Sequence, residues 1–214
     1  MNLRVPAIVV AARSHGETAV IARLLTEDAG LVAAYIAGGR GRNLRPVVVP
    51  GNLVEADIRS KSDTQLPFAR VELTTSRGPW LTEPLASAAI LWVTSLTASV
   101  LPERNPYPAL YRTLVAVLDA ICAAPSARGW LPALVAYERL LLRELGYGGA
   151  NIRERHGEPS RSMVGVGANG YYQAVFVRFE KLGPAIENYL LADVRGDVMA
   201  ARNLLGARLK RMLT

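Results

Sequence analysis

The densest chemistry in the 214-residue sequence is the run Gly38-Gly39-Arg40-Gly41-Arg42-Asn43-Leu44-Arg45-Pro46, where three guanidiniums fall within six residues on a glycine-rich backbone. Arginine offers a forked set of donors that matches phosphate oxygens, so a supple loop of this kind can follow a sugar-phosphate chain. The run lacks the Lys-Ser/Thr ending of a phosphate-binding P-loop, which argues against a nucleoside triphosphate. Taken alone, it reads equally as a flexible, solvated hairpin loop. A second basic cluster, Arg202, Arg208, Lys210 and Arg211, is interleaved with Leu204, Leu205, Leu209 and Met212. As a helix this stretch has one apolar and one basic face. Its cations are either a solvated face that also favours the helix dipole or a second polyanion contact.

Other reactive side chains are few. Cys122 is the single cysteine, so no intramolecular disulfide forms and a cysteine zinc site lacks ligands. Its apolar neighbours Leu118 and Ile121 predict a buried, inert thiol. His15 and His156 are the only histidines, which leaves most nucleophile–base schemes without parts. Asp193 and Asp197 flank Arg195-Gly196 and suit a helix start at least as well as a metal. With no convergent acid–base or metal set, the sequence predicts a protein that is not an enzyme and needs no cofactor.

Charge supports a polyanion partner. The net charge of +7 is uneven: residues 1–80 carry ten Lys/Arg against seven Asp/Glu, residues 81–150 five against five, and residues 151–214 ten against six. Two basic segments therefore flank a neutral, apolar middle, and nucleic acid is the usual polyanion. No signal peptide is read at Met1-Asn2-Leu3-Arg4, and no apolar run reaches the ~18 residues of a membrane span. The expected location is the cytoplasm.

Elements must position these groups. Val5–Ala12, Thr18–Leu25, Leu31–Ile36, Leu53–Ile58 and Phe68–Thr74 read as five short strands, separated by turn signals at Ser14-His15-Gly16-Glu17 and Glu27-Asp28-Ala29-Gly30. Gly38–Pro50 reads as a long loop around a short Val47–Val49 strand. Tyr35 and Phe68 sit in apolar strand contexts and are assigned to the core, which leaves binding mainly electrostatic. After Pro84 the period lengthens: Leu85–Val100, Leu110–Ile121 and Leu134–Leu145 read as helices, the last stopped by Gly146 and Gly148. Beyond Gly149, Tyr171–Phe179 reads as a strand paired with Met163–Val166, and Pro184–Leu191 and Val198–Leu213 as helices. The fold class is α+β: a five-stranded OB-fold barrel over residues 1–80, then a mainly helical domain over 81–214 with a small hairpin and helix extension.

The order of these parts resembles the RecO family of DNA repair and recombination mediators. The resemblance rests on Ala7-Ile8-Val9-Val10, Gly16-Glu17-Thr18, Leu24 to Leu31, Gly38-Gly39-Arg40-Gly41-Arg42, Val49-Pro50-Gly51-Asn52-Leu53-Val54-Glu55-Ala56, Pro102 to Tyr111, and Tyr137 to Gly148. It implies an OB barrel that binds single- and double-stranded DNA, anneals complementary strands and helps load RecA on coated single strands with RecR. It also implies a helical domain that receives the acidic tail of single-stranded-DNA-binding protein. DNA contacts are assigned to Arg40, Arg42 and Arg45, with Arg13, Arg59 and Lys61 on the barrel and Arg208, Lys210 and Arg211 at the far end. Partner contacts are assigned to Arg139, Arg143 and Tyr111. Many relatives carry a cysteine cluster, sometimes holding zinc, where this chain has Ala150 to Tyr172; the region (151–183 as a whole) is read as a shortened, zinc-free counterpart. Relatives that place docking arginines before the aromatic-Glu pair of the third helix have Val135 and Ala136 as counterparts here, which moves the tail contact to Arg139 or Arg143. An RNA-binding barrel with a helical tail is the alternative reading.

Overall fold

A computed structural model describes residues 2–60, 62, 65–148 and 168–212. Five strands, β1 (Asn2–His15), β2 (Ala19–Thr26), β3 (Gly30–Ile36), β4 (Leu53–Arg59) and β5 (Phe68–Thr75), close into a barrel in the order β1-β2-β3-β5-β4. All pairings are antiparallel except β3 with β5, which meet through Tyr35 and Phe68. This is the OB-like arrangement. β1 is long enough to pair with β4 through its first half and with β2 through its second, and a bulge between Val9 and Ala11 turns it from one to the other.

Alternation explains most of the barrel. Ala22, Leu24, Val32, Ala34, Ala56, Ile58 and Ala69 point into the barrel and are buried; most of their neighbours in sequence are more exposed, except Leu25 and Leu31, which are equally buried against the helices. The run Ala7-Ile8-Val9-Val10 breaks that alternation because both faces of β1 are covered there. Ala7 and Val9 fill the barrel, whereas Ile8 and Val10 pack on the helices.

A short 3₁₀ turn (Gly78–Thr82) leads to α1 (Pro84–Val100), α2 (Pro108–Ala123) and α3 (Ala127–Glu144). Pro84 and Pro108 open their helices at positions where no amide partner is lost. α1 is apolar on nearly every side because it lies between β1 and the other helices, with Trp92, Val93 and Leu96 fully buried. The β2–β3 turn is docked on the α1–α2 connection: Gly30 has φ +70°, and a Cβ there would lie 2.5 Å from the carbonyl carbon of Asn105. The Arg104 amide donates to Leu31 O at 2.9 Å beside it.

Two expectations of strands fail, one in the helical part of the chain and one in the barrel. Tyr171–Phe179 is not a strand: it lies within helix α4 (Ala168–Ala185), which continues through a π turn at Ile186–Leu190. Tyr172, Val175, Phe176, Phe179 and Leu182 are its buried stripe, at helical spacing. The expected partner Met163–Val166 lies outside the described residues, as does most of the Ala150–Tyr172 region. Val47–Val49 is not a strand either; it belongs to a series of turns, with Val48 packed into the barrel core. The last helix, α5 (Met199–Arg211), packs on α1. Asp197 accepts from the Ala200 amide at 2.8 Å, so it serves the helix start. Among the described residues no group of three or more His, Cys, Asp or Glu is placed to hold a metal, and no helix is long and apolar enough to cross a membrane.

Candidate nucleic-acid interface

The arginine-rich segment between β3 and β4 is an ordered cap. Gly38 takes φ +68°, which a glycine adopts without strain, and turns the chain back over the barrel mouth. Successive turns follow, with Gly41 N donating to Gly38 O (2.8 Å), Arg45 N to Gly41 O (2.9 Å) and Val48 N to Leu44 O (3.0 Å). Leu44, Val47 and Val48 face the barrel core, which leaves Arg40, Arg42 and Arg45 on the solvent side. A supple excursion is therefore the wrong picture: the apolar residues between the arginines pin the backbone and push the cations outward.

Two side chains fix this cap. Arg40 donates through Nη1 to Gly16 O (3.2 Å) and Glu17 O (2.9 Å), and its amide donates to Thr18 O (2.9 Å), which ties the cap to the β1–β2 turn. Its acceptors are neutral carbonyls, so its positive charge is retained. Asn52 is wholly buried, and its Nδ2 donates to Pro46 O (2.8 Å) and Val47 O (3.0 Å). Its Oδ1 accepts from the Arg77 amide at 2.7 Å. One amide side chain thus holds both the end of the arginine segment and the point where the chain leaves the barrel. In the sequence Asn52 stands out only as part of a family resemblance, with no role of its own.

Registers across the barrel wall bring further residues into one line. Arg13 pairs with Ile21, Ile21 with Tyr35, Tyr35 with Phe68, and Phe68 with Arg59. Paired residues share a face, so this is a continuous outward row with a guanidinium at each end. The rings touch: Tyr35 and Phe68 have centroids 4.9 Å apart, and His15 meets Tyr35 edge-on at 5.8 Å. Phe68 is 50% exposed. The assignment of Tyr35 and Phe68 to the core is thereby corrected, because both belong to the outer wall.

Below this row, Arg4, Arg59 and Arg70 surround Asp57. Arg59 grips that carboxylate through two bonds of 3.0 and 2.8 Å and holds its pKa below the ordinary value, with Arg70 and Arg4 adding their fields. Arg59 is therefore a partly neutralised cation. Arg13 is exposed and opens onto a cleft of about 1160 Å³ between the barrel and the helices, lined also by Ile21, Arg23, Leu91, Arg195 and Leu204. Lys61 lies outside the described residues.

The second basic cluster divides. Arg202 is buried, 5% exposed, and clasps the fully buried Glu138 through Nε (3.0 Å) and Nη2 (2.9 Å). Its guanidinium also lies over the Phe179 ring at 3.9 Å. Arg202 is a core residue of the helical layer and not part of a basic surface. Arg208 is half-buried and donates to Pro84 O at the start of α1, whereas Lys210 and Arg211 are exposed. On α3, Arg139 and Arg143 are exposed one helical turn apart, and Arg143 pairs with Glu144 at 3.1 Å. Tyr111 is buried at 8% exposure, so its ring serves packing, and burial raises its phenol pKa ahead of the fields of Glu27 and Glu55.

The fold and this wall define an OB-like barrel protein with a cationic, partly aromatic outer face and an attached helical layer. The recombination protein O N-terminal family model matches residues 1–77, and the recombination protein O C-terminal model matches residues 81–149. The DNA repair protein RecO of Gluconacetobacter diazotrophicus is 36% identical over 151 residues, covering 69% of this chain and 59% of that protein. That of Rhodospirillum centenum is 39% identical over 143 residues, 66% of this chain and 56% of that protein. The Phenylobacterium zucineum protein of the same name is 37% identical over 150 residues, 69% of this chain and 60% of that protein. The chain belongs to the recombination protein O family, and it spans between 56% and 60% of the length of these relatives.

Proposed function

We propose that the chain is a non-catalytic recombination mediator: its barrel binds single- and double-stranded DNA and anneals complementary strands. It helps load RecA on coated single strands together with RecR, in the cytoplasm at the nucleoid. Residues 1–80 serve DNA and residues 81–214 serve partners, with the acidic tail of single-stranded-DNA-binding protein received at Arg139 and Arg143 on α3.

The observation that carries this reading is the arginine cap. Three guanidiniums are presented outward from a backbone that the barrel core, Asn52 and the β1–β2 turn hold in place. A fixed array binds a polyanion with less ordering cost than a loose loop does. Annealing follows from the same chemistry, because neutralising phosphates lowers the repulsion between two strands. The test is annealing of complementary oligonucleotides by the wild-type chain and by the combined variant Arg40→Ala, Arg42→Ala, Arg45→Ala. The variant is expected to anneal more slowly and bind more weakly at low salt. Equal rates and affinities would remove the cap from the mechanism.

A further inference from the structure

We infer that the row Tyr35–Phe68, with His15 beside it and Arg13 and Arg59 at its ends, is a stacking platform for unpaired bases. It gives the barrel a preference for single strands that charge alone does not supply. The inference rests on the polynucleotide reading above and names which part of the polynucleotide the wall takes.

Three observations point there. First, the rings are placed by strand register and not by the core: Phe68 is half in solvent, and β5 buries Ala69 and Val71 instead. At the start of β5, where the wall meets the barrel rim, the Phe68 ring gives nothing to the core. Second, the rings form a contiguous surface, with centroids at 4.9 and 5.8 Å, and Ile21 pairs with Tyr35 beside them. Third, a guanidinium stands at each end of the row and none within it; Arg59 is shared with Asp57, so Arg13 is the stronger phosphate contact while bases lie over the rings. From Arg13 to Arg59 the row crosses five strands, roughly 19 Å along the wall at the usual strand spacing. That length suits a few nucleotides of an extended strand. A duplex keeps its base faces inside its own stack and offers this surface only phosphates and base edges, so the rings discriminate against it.

The test uses the whole chain, a labelled dT oligomer of about 12 nucleotides (within the span an OB barrel occupies) and a mixed-sequence duplex. Tyr35→Leu and Phe68→Leu keep apolar cover on the wall but remove the π face. Each is expected to weaken dT binding by about fivefold to a hundredfold, with the duplex affinity and the salt slope unchanged. A second measurement does not depend on lost affinity. Phe68→Trp should retain dT binding and show fluorescence quenched by dT but not by duplex, above the baseline of the native tryptophans, of which Trp92 and Trp130 are buried. Leucine variants that bind dT like wild type, or an added indole signal in Phe68→Trp that is indifferent to bound dT, would overturn the inference and leave the row as a protein contact. If the wild-type chain binds neither oligomer nor duplex, the polynucleotide reading itself fails; if both bind and the rings do not matter, only the platform fails.

Discussion

Replacing Arg202 with methionine removes the partner of a carboxylate that has no access to water. Glu138 is fully buried and keeps three donated bonds: two from Arg202 at 3.0 and 2.9 Å, and one from Trp92 Nε1 at 2.8 Å. In Arg202→Met only the indole bond survives, and the guanidinium is also lost from the Phe179 ring and the Phe179 carbonyl. Breaking a buried pair by removing one member costs about 3–5 kcal/mol. For a chain of this size that lowers the melting temperature by roughly 6–20 °C. The loss depends on pH. Burial pushes the Glu138 pKa up, while Arg202 and Trp92 pull it down. Without Arg202 the folded pKa rises further above the unfolded value, so the folded state keeps a proton that the unfolded chain releases. Stability of the variant relative to wild type therefore falls with rising pH across the window between the wild-type and the variant folded pKa of Glu138, both above the ordinary carboxylate value. Urea unfolding at about pH 5.5 and pH 8 should show the larger deficit at pH 8, and Arg202→Met combined with Glu138→Leu should recover most of it. A deficit below ~1 kcal/mol that ignores pH would refute the reasoning.

Asn52→Ala deletes three bonds at a wholly buried site and leaves the carbonyls of Pro46 and Val47 unanswered; a loss of about 2–4 kcal/mol in denaturant unfolding is expected, with weaker DNA binding because the arginine cap loses its anchor. Gly30→Ala combines a positive φ with a backbone collision at Asn105 and should cost about 2–5 kcal/mol, whereas Gly16→Ala, with open space around it, suffers only from its φ; paired thermal melts make the comparison. Burial raises the Cys122 thiol pKa, against the lowering effect of Arg77, so reaction with a thiol reagent at pH 7 should be slower than for a free cysteine and should accelerate as pH is raised.

The barrel is legible in the sequence because a half-buried strand writes its burial as alternation, and β4 and the first half of β5 do so, whereas Leu24-Leu25-Thr26 of β2 and Gly30-Leu31-Val32 of β3 are covered on both faces. The helices after Pro84 are legible for the corresponding reason at a period near 3.6. What the sequence conceals is what depends on partners distant in the chain. Tyr35 and Phe68 are 33 positions apart and meet only because β5 runs parallel to β3, so no local pattern distinguishes a wall ring from a core ring. Val48 has the composition of a strand residue, yet its burial comes from capping the barrel mouth. Arg202 belongs to a run of cations, but Glu138 on α3 draws it inward, and a single-helix reading has no means of choosing between the two faces. In α4 the signal is present but conflicting. The 172, 175, 176, 179 spacing is helical, whereas the Tyr, Val and Phe content suggests a strand.

The most direct measurement of the central claim, that a fixed array of arginines on the barrel holds polynucleotide by charge, is the dependence of single-strand affinity on salt for the wild-type chain and for Arg42→Ala and Arg45→Ala. A log–log plot should be linear for wild type, and each substitution should reduce its slope by about 0.7 for a single strand and about 0.9 for a duplex. Slopes that stay the same in both variants, or a wild-type affinity indifferent to salt, would contradict the claim.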